Sequence, residues 1–99
     1  MLVRLWRYEV AAGREAEFER AYGSDGDWAR LFARSPGFRG TTLCRDVETS
    51  AAYLMADVFD GHDAWARFFE LHRQAYEELD RRFAGLTVSQ SELAPCSVT

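Results

Sequence analysis

Ninety-nine residues suffice for one hydrophobic core, because two half-sized cores would each bury too little surface to offset the entropy of ordering the chain. Hydrophobic residues at 47% and charged residues at 28% describe an ordinary globular composition and exclude extended disorder. The net charge is −4, and the arginines, the only basic residues besides two histidines, are scattered among the acids, so the basic footprint of a nucleic-acid binder is missing. The start of the chain shows neither a basic leader nor a long apolar run, which argues against a membrane partner. Cys44 and Cys96 stand apart with no CxxC spacing, and the compartment they imply is a reduced cytoplasm.

Leu2 to Val10 is rich in β-branched and aromatic residues and alternates, with Arg4, Trp6 and Tyr8 on one face and Val3 and Leu5 on the other, the pattern of a first strand. Glu15 to Tyr22 places Phe18, Ala21 and Tyr22 at i, i+3 and i+4, a short amphipathic helix. The run Gly23-Ser24-Asp25-Gly26 interrupts it, Asp25 or Asp27 can cap a second piece, and Trp28, Leu31 and Phe32 give that piece its buried face. After the Ser35-Pro36-Gly37 stop, Phe38 to Asp46 reads as strand two and Tyr53 to Phe59 as strand three, close enough for an antiparallel hairpin. Asp60-Gly61-His62-Asp63 opens the longest helix, whose apolar face runs through Trp65, Phe68, Phe69, His72, Tyr76, Leu79 and Phe83 to a stop at Gly85. Leu86 to Leu93 alternates as strand four, and a short tail begins at Pro95.

This order predicts a single α+β domain over residues 1–99, a ferredoxin-like βαββαβ fold with a four-stranded antiparallel sheet and the helices on one face. The other face keeps Val3, Leu5 and their aliphatic neighbours bare, and a second copy of the chain is the economical cover, so a homodimer is expected.

Three stretches resemble the antibiotic-biosynthesis-monooxygenase family: the end of strand one with Val10-Ala11-Ala12-Gly13-Arg14-Glu15-Ala16-Glu17-Phe18, the turn Ser35-Pro36-Gly37-Phe38-Arg39-Gly40, and Asp60-Gly61-His62-Asp63-Ala64-Trp65. The resemblance covers nearly the whole chain. It implies a dimeric α/β barrel with a pocket between sheet and helices in each subunit, and oxidation of phenols or anthrones without metal or flavin, so no cofactor is expected. The family's anthrone oxygenases carry an Asn late in strand three, then a Trp and a Tyr; Met55, Phe59 and Trp65 hold those places here. In its haem degraders an Asn, a Trp and an iron-ligating His occupy the places of Trp6, Phe68 and Glu78, which leaves haem iron without a ligand.

His72 is the one imidazole on a predicted apolar face, and a buried neutral imidazole can accept a phenolic proton, which makes it the candidate catalytic residue; the alternative is a core histidine with a backbone partner. Trp6, Tyr8, Trp28, Trp65 and Tyr76 are candidate substrate-binding walls for a small aromatic ligand, if the Trp6 face of strand one turns toward the helices. Asp57 is either a buried acid or the partner of Arg4, Arg7 or Arg45 in a structural salt bridge. His62 reads as a solvated residue at a helix start and Cys44 as a small core residue, and no spacing supports a metal site. Two functional readings follow: a cofactor-free monooxygenase acting on a small aromatic or hydrophobic metabolite, and a non-catalytic ligand-binding or interaction domain whose aromatics fill its core.

Overall fold

A computed structural model describes all residues, Met1–Thr99. The strands are β1 (Leu2–Val10), β2 (Phe38–Arg45), β3 (Ala52–Phe59), β4 (Thr87–Glu92) and β5 (Cys96–Ser97); the helices are α1 (Glu15–Tyr22), α2 (Asp27–Phe32) and α3 (His62–Phe83), followed by a 3₁₀ turn over Ala84–Leu86. The sheet runs β2-β3-β1-β4 with antiparallel neighbours throughout, the ferredoxin-like order that the chain of elements predicts.

The period-2 alternation of β1 and β3 separates two faces. Tyr8, Met55, Asp57 and Phe59 are buried on the side the helices cover, and the register sets Arg4 opposite Asp57 and Trp6 opposite Met55. Phe18 and Tyr22 of α1 reach this face and stack with each other at 4.2 Å between ring centres, with Tyr8 edge-on to both. Phe32 of α2 and Phe68 of α3 close over Phe59. The opposite face carries Val3 against Val58 and Leu5 against Ala56, while Leu54 stays 42% exposed.

Several local expectations change. Gly26, not Asp25 or Asp27, is the N-cap of α2, and no side chain caps that helix. A Cβ at Gly26 would lie 2.5 Å from the Ala21 carbonyl oxygen, so the tight return from α1 admits no side chain there. Cys44 is exposed on β2 rather than packed in the core. The tail returns: Cys96–Ser97 pairs with Leu2–Val3, and the Val98 amide donates to the Met1 carbonyl at 3.0 Å. α3 is not one continuous helix, because His72 has non-helical φ −123° and ψ 21° and breaks it into two segments. No helix is long and apolar enough to cross a membrane.

Candidate active site

Between the sheet and the helices lies a cavity of about 60 Å³. Strand β1 contributes Trp6 and Tyr8 because its even-numbered face turns toward the helices; α1 adds Tyr22, α2 adds Trp28, and α3 adds Tyr76. Trp28 meets Tyr76 edge-on at 4.9 Å and Tyr22 at 6.0 Å, while Trp6 stacks along Tyr8 at 6.5 Å. The deeply buried Met55 and Asp57 form the floor, and the half-buried Trp6 and Tyr76 with the exposed Asp80 and Gln90 form the mouth.

Asp57 is 1% exposed and accepts one hydrogen bond, from the Thr41 hydroxyl to Oδ1 at 2.7 Å; its other oxygen has no protein partner. Burial pushes its carboxyl up to about 7, against the opposing pull of the Thr41 hydrogen bond and the Arg4 charge. Of the two sequence readings of Asp57, the buried acid holds and the salt bridge does not: Asp57 points to the helix side, and Arg4 is paired with Glu92 instead. Burial also raises the three phenols around it, Tyr22 to about 12 and Tyr8 and Tyr76 further, so all three stay protonated. The Tyr8 hydroxyl has only the Met55 sulfur at 3.9 Å, a weak acceptor. The Trp28 indole N–H is buried without an acceptor; it lies near enough to the Tyr22 hydroxyl to favour that group's ionised form, yet does not reach hydrogen-bonding geometry with it.

Of the residues singled out in the sequence, Trp6, Tyr8, Trp28 and Tyr76 converge on this cavity. Trp65 does not line it. That ring packs at 5.3 Å against Phe59 and at 5.9 Å against Phe69, with the Arg4 guanidinium 4.2 Å above its face. His72 is elsewhere too: its ring tilts against Phe68 at 5.3 Å and borders a separate groove of about 340 Å³, beside Arg67, Asp63 and the Ser35-Pro36-Gly37 turn. The helical period correctly sets His72 toward Phe68 but cannot say that Phe68 itself closes the way to the aromatic walls. Asp80 and Gln90 escape the sequence reading, Tyr22 enters it only as the buried face of α1 and Met55 only through the family resemblance, since nothing local marks any of them as neighbours of Tyr8. No three His, Cys, Asp or Glu side chains converge as metal ligands would.

Residues 1–78 match the family model described as antibiotic biosynthesis monooxygenase. The chain belongs to the antibiotic biosynthesis monooxygenase family. Among solved structures it is similar to SnoaB, a cofactor-independent oxygenase from Streptomyces nogalater, at 26% identity and a TM-score of 0.73 over 98% of this chain and 94% of that one. A Deinococcus radiodurans protein grouped with the same monooxygenases shares the fold at a TM-score of 0.78 and 11% identity, over 100% of this chain and 93% of that one. A NIPSNAP domain protein from Burkholderia xenovorans, with no characterised activity, shares it at 0.71 and 19%, over 100% and 95%. No curated protein matches the chain.

Membership sharpens what this site lacks. The sequence contains no asparagine, so the residue that the family's anthrone oxygenases place late in strand three is missing, and the one carboxamide at the cavity is that of Gln90 at its mouth. Met55, which holds that place, does lie on the cavity floor, whereas Phe59 and Trp65 are core. Glu78 is exposed on α3, bordering a different surface groove with Asp27 and Arg82.

Proposed function

We propose that this protein is a cofactor-independent monooxygenase that oxidises a small phenolic or anthrone-like metabolite in the aromatic cavity, with Asp57 as proton acceptor. The observation that carries this reading is a buried carboxylate with one unpartnered oxygen on the floor of an aromatic-walled cavity. An aspartate whose proton affinity lies near neutrality can take a proton from an acidic C–H or O–H and return it, which an ordinary solvated aspartate does poorly. The resulting carbanion or phenolate gives one electron to O₂, and the radical pair combines into a peroxide anion that Asp57 reprotonates. Loss of water from the hydroperoxide, taking the remaining C–H hydrogen, leaves a carbonyl: CH₂ + O₂ becomes C=O + H₂O. The substrate supplies both reducing equivalents. The ring faces of Trp6, Trp28 and Tyr76 would hold a flat substrate across this carboxylate.

The cavity's volume is far below the roughly 300 Å³ of common ligand pockets. Trp6 and Tyr76, half-buried at the mouth, are the walls that must turn outward to admit a ring. The same small volume is the support for the rival reading, a non-catalytic domain whose aromatics are core. Oxygen uptake separates them: with an anthrone or a dihydroxynaphthalene, the wild-type protein should consume oxygen above the buffer rate and the Asp57→Asn variant should not. Uptake at the buffer rate across a panel of such substrates would sink the enzyme reading.

The functional unit under this reading is a homodimer in the cytoplasm. Val3, Leu5, Ala56 and Val58 on the open sheet face support the second copy, and the unpaired thiols Cys44 and Cys96 support the reducing compartment. Sedimentation at micromolar concentration should give twice the chain mass, and Leu5→Arg should give the monomer.

A further inference from the structure

Asp57 has one cation within electrostatic reach, and that cation is turned away from it. Arg4 sits directly opposite Asp57 in the β1–β3 ladder, where cross-strand side chains on one face are nearest neighbours. No ion pair joins them. The Arg4 guanidinium instead pairs through Nη2 with Glu92 of β4, which is diagonal to it because Glu92 stands opposite Trp6. The Trp65 face 4.2 Å below holds the guanidinium in that direction, and its Nε–H is buried with no acceptor at all. Arg4 thus has a donor to spare and an acidic neighbour with an oxygen to spare, yet the two do not meet.

The other groups facing Asp57 do not substitute for this cation. Tyr8 comes from β1, Tyr22 from α1, Tyr76 and Asp80 from α3, and the hydroxyl of Thr41 from β2; the three phenols are protonated and Asp80 is itself an acid. We propose that the Arg4–Glu92 ion pair is what leaves Asp57 without a counterion, which makes Glu92 a positioning residue for the proton acceptor of the cavity. Glu92 lies outside the cavity and touches no substrate; it acts through Arg4. When its charge is removed, the guanidinium is free to swing across the ladder onto the unpartnered oxygen of Asp57. A carboxylate so paired ionises at lower pH and holds a proton less well.

The inference rests on Asp57 as the working base, but the test does not need turnover. Carbon-13 carboxyl NMR of the substrate-free protein follows the Asp57 titration in wild type, Glu92→Gln, Glu92→Asp and the double variant Arg4→Met/Glu92→Gln. The midpoint should fall by about one pH unit or more in Glu92→Gln, fall less in Glu92→Asp, and return to the wild-type value or above in the double variant. Glu92 ends β4 and is 30% exposed, and Glu92→Asp keeps the charge, so at least one folded variant reports. An unmoved midpoint in both single variants, or a double variant as low as Glu92→Gln, overturns the proposal. The acid limb of oxygen uptake should shift with the midpoint. A moved midpoint in a protein that consumes no oxygen supports the Arg4–Glu92 device and removes the monooxygenase reading; an unmoved midpoint in an active protein does the reverse.

Discussion

α3 has a hollow on each side, and the two differ in the one property that matters for proton transfer. On the sheet side Asp57 is sealed among aromatic rings, and burial has brought an ordinary acid to the middle of the pH range. On the outer side His72 borders an open groove with Arg67 and Asp63 and faces no aromatic ring except Phe68. Residue type alone would choose the imidazole. Environment chooses the carboxylate, because desolvating a charge changes its proton affinity by more than the difference between an aspartate and a histidine.

The strongest way to break this comparison is to exchange the two roles by mutation. Asp57→Asn keeps the shape and the Thr41 contact and removes the proton site, so turnover should fall by about 10²- to 10⁴-fold, the usual worth of a general base. A loss of similar size in His72→Ala with Asp57→Asn unaffected would reverse the assignment.

The next effect is on stability. Asp57 has its proton affinity raised by folding, so the folded state holds that proton more tightly than the unfolded chain. Its stabilising contribution is complete below the unfolded value near 3.8 and is lost as pH rises to about 7. The span corresponds to roughly 4 kcal/mol at 1.36 kcal/mol per pH unit, an order-of-magnitude figure. Urea unfolding at pH 5 and pH 8 should show wild type losing stability over that interval and Asp57→Asn losing much less. Equal slopes in the two proteins would mean that Asp57 is solvated. Glu17, Glu19 and Asp60, lowered chiefly by hydrogen bonds from Arg14, Tyr53 and Arg39, act in the opposite sense and only at more acid pH.

The smallest expected effect is that of His72→Ala. The ring is half-buried beside Phe68, its one aromatic neighbour, and has no hydrogen-bond partner, so its removal should cost under about 1 kcal/mol in thermal or urea unfolding and leave oxygen uptake near the wild-type rate.

Much of the fold is legible in the chain because it is written at short range. The alternation of Leu2 to Val10 is complete within one strand, and it correctly separates Trp6 and Tyr8 from Val3 and Leu5. Phe18, Ala21 and Tyr22 mark α1 within two turns, and the burial of all three follows. β5 is invisible for the opposite reason: Cys96 and Ser97 have no strand pattern of their own, and only the free edge of β1 at Leu2–Val3 makes them a strand. Trp6, Tyr8, Trp28 and Tyr76, singled out from the sequence, line the cavity together with Tyr22 and Phe32. Trp65 cannot be told from them, because Trp65 and Tyr76 share one face of α3 in the sequence while only Tyr76 borders the gap.

What the amino-acid order determines unaided is the succession of strands and helices, the two faces of each, and the family, since all of these rest on spacings of two to four residues or on short motifs. The tertiary structure alone decides which acid is buried, which arginine stands beside it and which glutamate draws that arginine away. Arg4, Asp57 and Glu92 lie on three different strands, brought side by side only by the β3-β1-β4 register. A charge has the proton affinity of its surroundings, and those surroundings exist only once the sheet has closed under its helices.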